Sequence, residues 1–269
     1  MILVCSFLVL FGGCKSEEKD SSGSWELVWS DEFEGNQLDG TKWRIQTGPG
    51  PWGLNELEYY SDAATNVACS DGNLVITARK EDYGGRNYTS GRLMSKQTFT
   101  LGKIEARIKL PWGQGMFPAF WTLTDNYDEP GKYGEIDILE MVGSANGVEN
   151  ATIWGSAHRS DLNNLPDGLK SVSKAYTTPD YSRFNKAYHV FTVEKYIDRL
   201  LFYVDGNLFM TQMMNSDGSD GFSNLQDNPA NIIMNLAVGG SWAGDPDATT
   251  QWPQQMCIDY VRYYQWKEN

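Results

Sequence analysis

Histidine and cysteine are scarce in this chain: 2 His and 4 Cys in 269 residues, with no CxxC pair and no HExxH motif. Zinc centres draw on several such ligands at close spacing, so the supply argues against one. Positive charge is also short. Lys and Arg number 22 against 35 Asp and Glu, and the formal net charge of −13 repels phosphate backbones and anionic membrane surfaces. Nucleic acid is therefore not an expected partner, and a neutral polymer or small molecule fits better. Long Ala, Leu, Glu and Lys stretches are missing, and beyond residue 24 no apolar run approaches the roughly 20 residues of a spanning helix. What is plentiful is aromatic residues and glycine: 10 Trp, 14 Tyr, 11 Phe and 27 Gly, a mixture that favours strands and turns. With 41% hydrophobic residues the chain can bury a large core, which excludes a disulfide mini-protein and a disordered tail.

Residues 2–11 form an apolar run too short to span a bilayer, followed by Gly12, Gly13 and Cys14. The pattern reads as a signal-peptide core and resembles a bacterial lipobox, with Phe11 where Leu is usual. It implies a signal peptide over residues 1–13 and lipid on Cys14. Residues 15–24 (KSEEKDSSGS) have no apolar side chain to pack and read as a flexible tether. The body, residues 25–269, is then a soluble domain held to the membrane only through its lipid. The expected location is the outer membrane, at the cell surface or facing the periplasm, and nothing in a tethered domain of this kind requires a partner, so a monomer is expected.

Along the body, short β-branched and aromatic runs alternate with Gly, Asn, Asp and Pro clusters. In residues 103–110 (KIEARIKL), Ile104, Ala106, Ile108 and Leu110 share one face while Lys103, Glu105, Arg107 and Lys109 share the other. Residues 73–79, 188–194, 199–204, 231–238 and 256–265 behave similarly, and Asp205-Gly206 marks a hairpin turn. No repeat and no internal linker is visible. The expected fold is all-β: one antiparallel β-sandwich of the jelly-roll kind.

Residues 134–140 (GEIDILE) carry the chemistry. Three carboxylates, Glu135, Asp137 and Glu140, stand among Ile136, Ile138, Leu139 and Met141, which belong in a core. Strict alternation would put Glu135 and Asp137 on one face but turn Glu140 inward. A bulge at Ile138-Leu139 returns Glu140 to the carboxylate face, so a bulge is expected there. Glu135 and Glu140 are then four strand steps apart, about 13 Å between Cα atoms. Side chains leaning together close this toward the roughly 5 to 5.5 Å of retaining glycosidases. Three carboxylates this close cannot all ionise, so one keeps a proton near neutral pH, as a general acid must. Just upstream, residues 116–121 (MFPAFW) add three aromatics, and Trp52, Trp112, Trp121, Trp154 and Trp242 stand near Gly or Pro or in turn-rich stretches, as flat faces for sugar rings would.

With these residues in view, the segments YTSGRL (88–93), GKIEARIKLPWGQGMFPAFW (102–121), GEIDILE (134–140), FYVDG (202–206), NLAVGGSWAGDPD (235–247) and DYVRYYQ (259–265) resemble bacterial endo-β-1,3-glucanases, the laminarinases of glycoside hydrolase family 16. The likeness runs in collinear order over residues 25–266. It implies a jelly-roll sandwich with a long cleft and a retaining mechanism with Glu135 as nucleophile, Asp137 as the carboxylate assisting it and Glu140 as general acid/base. It also implies substrate contacts from Asn55, Arg92, Trp112, Trp121, His158 and Trp242. The substrate implied is a laminarin-like β-1,3-glucan, with mixed-linkage glucan, a marine galactan such as agarose or porphyran, and non-catalytic glycan binding as alternatives. Arg159 departs from the family pattern and would suit an anionic galactan. His189, alternating with Phe191 and Val193, reads as structural.

The same resemblance implies a structural calcium at Glu32, Gly72 and Asp259, tying the two ends of the domain together. If Gly72 and Asp259 share an ion, Cys69 and Cys257 are close as well, and in an exported chain they could form a disulfide.

Overall fold

The computed structural model describes residues 23–50, 52–129, 132–145, 147–160, 169–214, 225 and 228–269. The expected signal peptide, Cys14 and the tether up to residue 22 lie outside them. In chain order the strands are β1 (Gly23–Asp31), β2 (Trp43–Ile45), β3 (Gly48–Pro49), β4 (Glu58–Tyr60), β5 (Val67–Ser70), β6 (Asn73–Tyr83), β7 (Arg86–Ser90), β8 (Arg92–Phe99) and β9 (Gly102–Lys109). Then follow β10 (Met116–Thr124), β11 (Gly134–Glu140), β12 (Thr152–Ser160), β13 (Leu169–Thr177), β14 (His189–Lys195), β15 (Arg199–Val204), β16 (Asn207–Met213), β17 (Ala230–Val238) and β18 (Gln254–Glu268). The longest α-helical segment among the described residues is the single turn Gly240–Ala243, designated α1.

These strands form two sheets. One has seven strands in the order β13-β12-β11-β10-β17-β8-β2. The other has eleven: β16-β15-β14-β9-β18-β6-β7-β4-β3, with β1 added on β18 and β5 on β6. The sandwich expected from the sequence is therefore present. Its core is the layer between the sheets, where Phe120, Ile136 and Met234 of the seven-stranded sheet meet residues such as Ile76, Ile108, Phe191 and Phe202 of the other. In β9 the alternation is exact, with Ile104, Ala106 and Ile108 buried and the charged positions half-buried. β17 is buried along its whole length, because it lies between β10 and β8 and both of its faces are covered. Asp205 and Gly206 have φ of 49° and 75°, the left-handed pair that closes a tight hairpin between β15 and β16.

Two expectations change. The tether was expected to extend through Ser24, but Gly23 pairs with Glu268 and Ser24 with Lys267, so β1 begins at Gly23. Backbone pairing with the long β18 needs no apolar side chain, and Trp25 packs edge-on against Trp266 at 5.3 Å. The expected disulfide is absent: Cys69 and Cys257 are both free thiols. The register gives the reason. Cys69 pairs with Leu74 of β6, and Cys257 pairs with the next residue, Val75. Successive residues face opposite sides of a sheet, so Cys69 points into the core while Cys257 lies on the outer face. The cysteines also sit on strands either side of β6, two spacings or about 10 Å apart, beyond disulfide reach.

Denatured, unreduced protein comprising residues 21–269 should therefore titrate two thiols, and in the native state Cys257 should react well before Cys69. Finding no free thiol in the denatured chain would contradict this packing.

Candidate active site

The outer face of the seven-stranded sheet is set by the register of β10, β11 and β12. On one side, Glu135, Asp137 and Glu140 pair with Leu123, Trp121 and Ala119 of β10. On the other they pair with His158, Ser156 and Trp154 of β12. Both partner sets run in steps of two, so all nine side chains share one face. The sequence spacing of 135, 137 and 140 fits this only because the register slips between Asp137 and Glu140. This is the expected bulge. Ile138 and Leu139 both turn into the core and are fully buried.

The three carboxylates line a cavity of about 630 Å³ with Trp52, Arg92 and Trp121. Asp137, at its floor, is 2% exposed. Tyr133 Oη donates to Glu135 Oε2 at 2.5 Å. His158 Nε2 lies 3.0 Å from Asp137 Oδ2 and 3.9 Å from Glu135 Oε1, while its Nδ1 is 2.6 Å from Ser171 Oγ. The approach to Asp137 is close enough for an ion pair but out of line for a hydrogen bond, and Oδ2 has no other partner. Burial raises the carboxyl of Asp137 well above the usual range, and the nearby charge of Glu135 adds to it. Glu140 is likewise raised well above its ordinary value, by burial first and then by Asp137 and Glu135. Glu135 is raised by burial, but the hydrogen bond from Tyr133 and the nearby His158 and Arg92 act against that. All three are thus pushed toward the protonated form, Glu135 with the most neighbours acting against that.

Aromatic walls flank the carboxylates. The Arg92 guanidinium lies between the rings of Trp52 and Trp121, at 5.2 and 4.9 Å, and its Nε donates to Gln46 Oε1 at 2.7 Å. Trp121 Nε1 donates to Asn235 Oδ1 at 2.8 Å, which fixes the indole plane. Trp242, 39% exposed on α1, packs edge-on against Phe117 and Trp154 at 5.3 and 5.4 Å. The loop carrying Trp52 is held from beneath, since Glu56 Oε2 accepts from the backbone N–H groups of Trp52, Gly53 and Leu54 at 2.9 to 3.1 Å. Ser241 N donates to Leu54 O at 2.7 Å, joining this loop to α1. Nearby, the buried Glu58 accepts from Val238 N at 2.8 Å through Oε2, while its Oε1 has no partner. Burial raises the Glu58 carboxyl to about 7.

Of the expected substrate contacts, Arg92, Trp121, His158 and Trp242 line this cavity. Two others, Asn55 and Trp112, do not line it. Asn55 is exposed, outside the cavity lining, at φ 61°, where it serves as the left-handed residue of the loop. Trp112 is also outside: its N–H donates to Gln254 Oε1 at 3.1 Å and the Arg183 guanidinium sits 5.3 Å over its ring. Arg159 is 2% exposed and, next to His158 on β12, falls on the opposite face, so it cannot meet a sulfate on a substrate in the cavity. His189 is structural as expected, bonded to Asp205 at 2.7 Å and set against Phe184. Tyr133, Asn235 and Glu56 were missed. Tyr133 carried a readable signal, since residues 133, 135 and 137 alternate onto one face.

At the positions implied for calcium, Asp259 Oδ2 accepts from Arg107 Nη1 at 2.5 Å, and both Glu32 oxygens accept from Arg262 at 2.8 and 3.0 Å. Asp259 sits at a register slip in β18. Glu135, Asp137 and His158 also have ligand atoms within 4.8 Å of one another. Two of these three already have other partners, Glu135 in Tyr133 and His158 in Ser171.

The sequence profile of glycosyl hydrolases family 16 matches residues 56–262. The chain is 37% identical to a beta-glucanase of Rhodothermus marinus, over 95% of this chain and 92% of that one. It is 31% identical to a glucan endo-1,3-beta-glucosidase of Cryptopygus antarcticus, over 91% and 93%. Among solved structures, the laminarinase catalytic domain of Thermotoga maritima superposes with a TM-score of 0.80 at 40% identity, covering 91% of this chain and 99% of that one.

Glu58 generates a prediction about stability. Its carboxyl titrates at about 7 in the fold against 4.5 as its ordinary value, so the folded state binds the proton more tightly. Stability is then lost as pH rises from about 4.5 to 7. Glu58→Gln has no proton to lose, and urea unfolding should show it gaining about 2 kcal/mol on the wild type between pH 5 and pH 8. A difference that stays constant with pH would mean that Glu58 titrates alike in both states.

Proposed function

We propose a function from the premise that this chain belongs to glycosyl hydrolases family 16: it is an endo-acting glycoside hydrolase that cleaves β-1,3-glucosidic bonds in laminarin-like glucans with retention of configuration. The observation that carries this reading is the set of three carboxylates on one strand face, Asp137 buried and Glu135 and Glu140 half-buried, under aromatic walls that suit sugar rings. Glu140, whose proton is held by burial and by its acidic neighbours, gives that proton to the glycosidic oxygen. Glu135, whose charge Tyr133, His158 and Arg92 favour against the effect of burial, attacks the anomeric carbon as a carboxylate to form a glycosyl ester. Asp137 lies between them at the floor of the cavity, its carboxyl raised well above the usual range by burial and by Glu135. Glu140, now a carboxylate, takes a proton from water, whose oxygen displaces Glu135. Arg92, Trp121, His158 and Trp242 hold the glucan, and the Trp52 loop closes one side.

Further parts of the reading rest on sequence alone. The chain is a monomeric lipoprotein, cleaved before Cys14 and held by lipid at the outer membrane, with no nucleic-acid partner. A structural calcium joins Glu32, Gly72 and Asp259 and takes Asp259 from Arg107.

Reducing-sugar release from laminarin by residues 21–269 should fall roughly 10²- to 10⁴-fold in Glu140→Gln and at least as far in Glu135→Gln. The wild-type kcat/KM should be bell-shaped, its acid limb set by Glu135 and its basic limb by loss of the Glu140 proton, both above ordinary carboxylate values. Glu140→Gln should lose the basic limb. Full activity in either variant would refute the assignment. For calcium, EDTA should lower the melting midpoint of the wild type and leave that of Asp259→Ala unmoved; a wild-type midpoint indifferent to EDTA would count against the ion.

A further inference from the structure

Tyr133 stands just before β11, two residues ahead of Glu135 and on the same face. Thr124 pins the backbone on both sides of it: its Oγ1 accepts from Gly134 N at 3.1 Å and donates to Lys132 O at 2.8 Å. The ring packs with Trp121 against Met94, Leu123 and Ile233, which fixes its plane. From that mount the hydroxyl reaches Glu135 Oε2 at 2.5 Å, while Oε1, the oxygen nearer His158, faces away from it. We propose that Tyr133 is a positioning residue for the nucleophile, holding Oε2 of Glu135 so that Oε1 is the oxygen that bonds to the anomeric carbon. This rests on Glu135 being the nucleophile.

The consequence follows the charge. In the first half-reaction Glu135 Oε1 bonds to the anomeric carbon, the glycosidic C–O bond breaks, and the leaving oxygen takes the Glu140 proton. In the second, water loses its proton to Glu140 as its oxygen bonds to that carbon, and the ester electron pair returns to Glu135 Oε1. A phenol donating to Oε2 stabilises the carboxylate more than the ester. It therefore helps the second half-reaction, in which Glu135 is the leaving group, more than the first. The other groups facing Glu135 are Asp137 and Glu140 on its own strand, His158 on β12 and Arg92 on β8; β10 and β17 present the uncharged Trp121, Leu123 and Asn235. Removing the phenol leaves all of these in place.

The test is Tyr133→Phe, which keeps the ring and its packing, assayed on an aryl β-laminaribioside with a good leaving group. Expected are a roughly tenfold fall in kcat with kcat/KM nearly unchanged, hence a lower KM, and an acid limb of kcat/KM displaced to higher pH. kcat and kcat/KM falling together with the acid limb unmoved would reduce Tyr133 to a packing role, and unchanged kinetics would remove the proposal outright. Mass spectrometry of wild-type enzyme treated with an activated 2-deoxy-2-fluoro-β-laminaribioside separates the two levels. An adduct on Glu135 with unaltered Tyr133→Phe kinetics overturns only the positioning role, whereas an adduct on another residue, or none, overturns the nucleophile assignment and this inference with it.

Discussion

One extra residue in a strand is the constraint from which the site follows. Ile138 and Leu139 share a single pairing position between Asp137 and Glu140, and both enter the core. Without the slip, Glu140 would point between the sheets and Leu139 would point into the cavity. Neither is tolerable: an unpaired carboxylate among Phe120, Phe191 and Phe202 costs several kcal/mol, and the cavity would lose its third carboxylate. The bulge resolves core packing and carboxylate alignment together.

Once aligned, the carboxylates are governed by what surrounds them. Burial pushes all three carboxyls upward. Glu135 has the most neighbours that favour the charge, namely the Tyr133 hydroxyl, the His158 ring and the Arg92 guanidinium, whereas Glu140 has His158 alone. Asp137 and Glu140 face chiefly other acids. The difference between Glu135 and Glu140 thus comes from Tyr133 on the approach to β11 and Arg92 on β8, since His158 on β12 acts on both. Arg92 is itself held by two indoles and Gln46, and the Trp52 loop above it by Glu56, so the electrostatic arrangement depends on packing from sequence-distant parts of the chain.

Much of this was legible beforehand because strand alternation is a local property. The faces of residues 103–110, the hairpin at Asp205-Gly206 and the bulge at Ile138-Leu139 each follow from a few adjacent residues and a rule of period two. The same rule applied one step further would have placed Tyr133 beside Glu135 and turned Arg159 away from His158. Asn55 and Trp112, which do not line the cavity, lie in loops, where alternation gives no direction. Asn55 spends its position on a left-handed turn, and Trp112 packs under Arg183.

Cys69 and Cys257 show the boundary most plainly. Sequence resemblance brings them near one another, and they do flank the same strand, yet pairing with Leu74 and with Val75 sends them to opposite faces. The sequence by itself determined which side chains share a face within each strand, since that depends only on the geometry of consecutive residues. Which strands lie side by side, and so which donors reach each carboxylate and how far each is stripped of water, was decided only by the tertiary structure, because registers between segments more than a hundred residues apart are settled by the packing of the whole core.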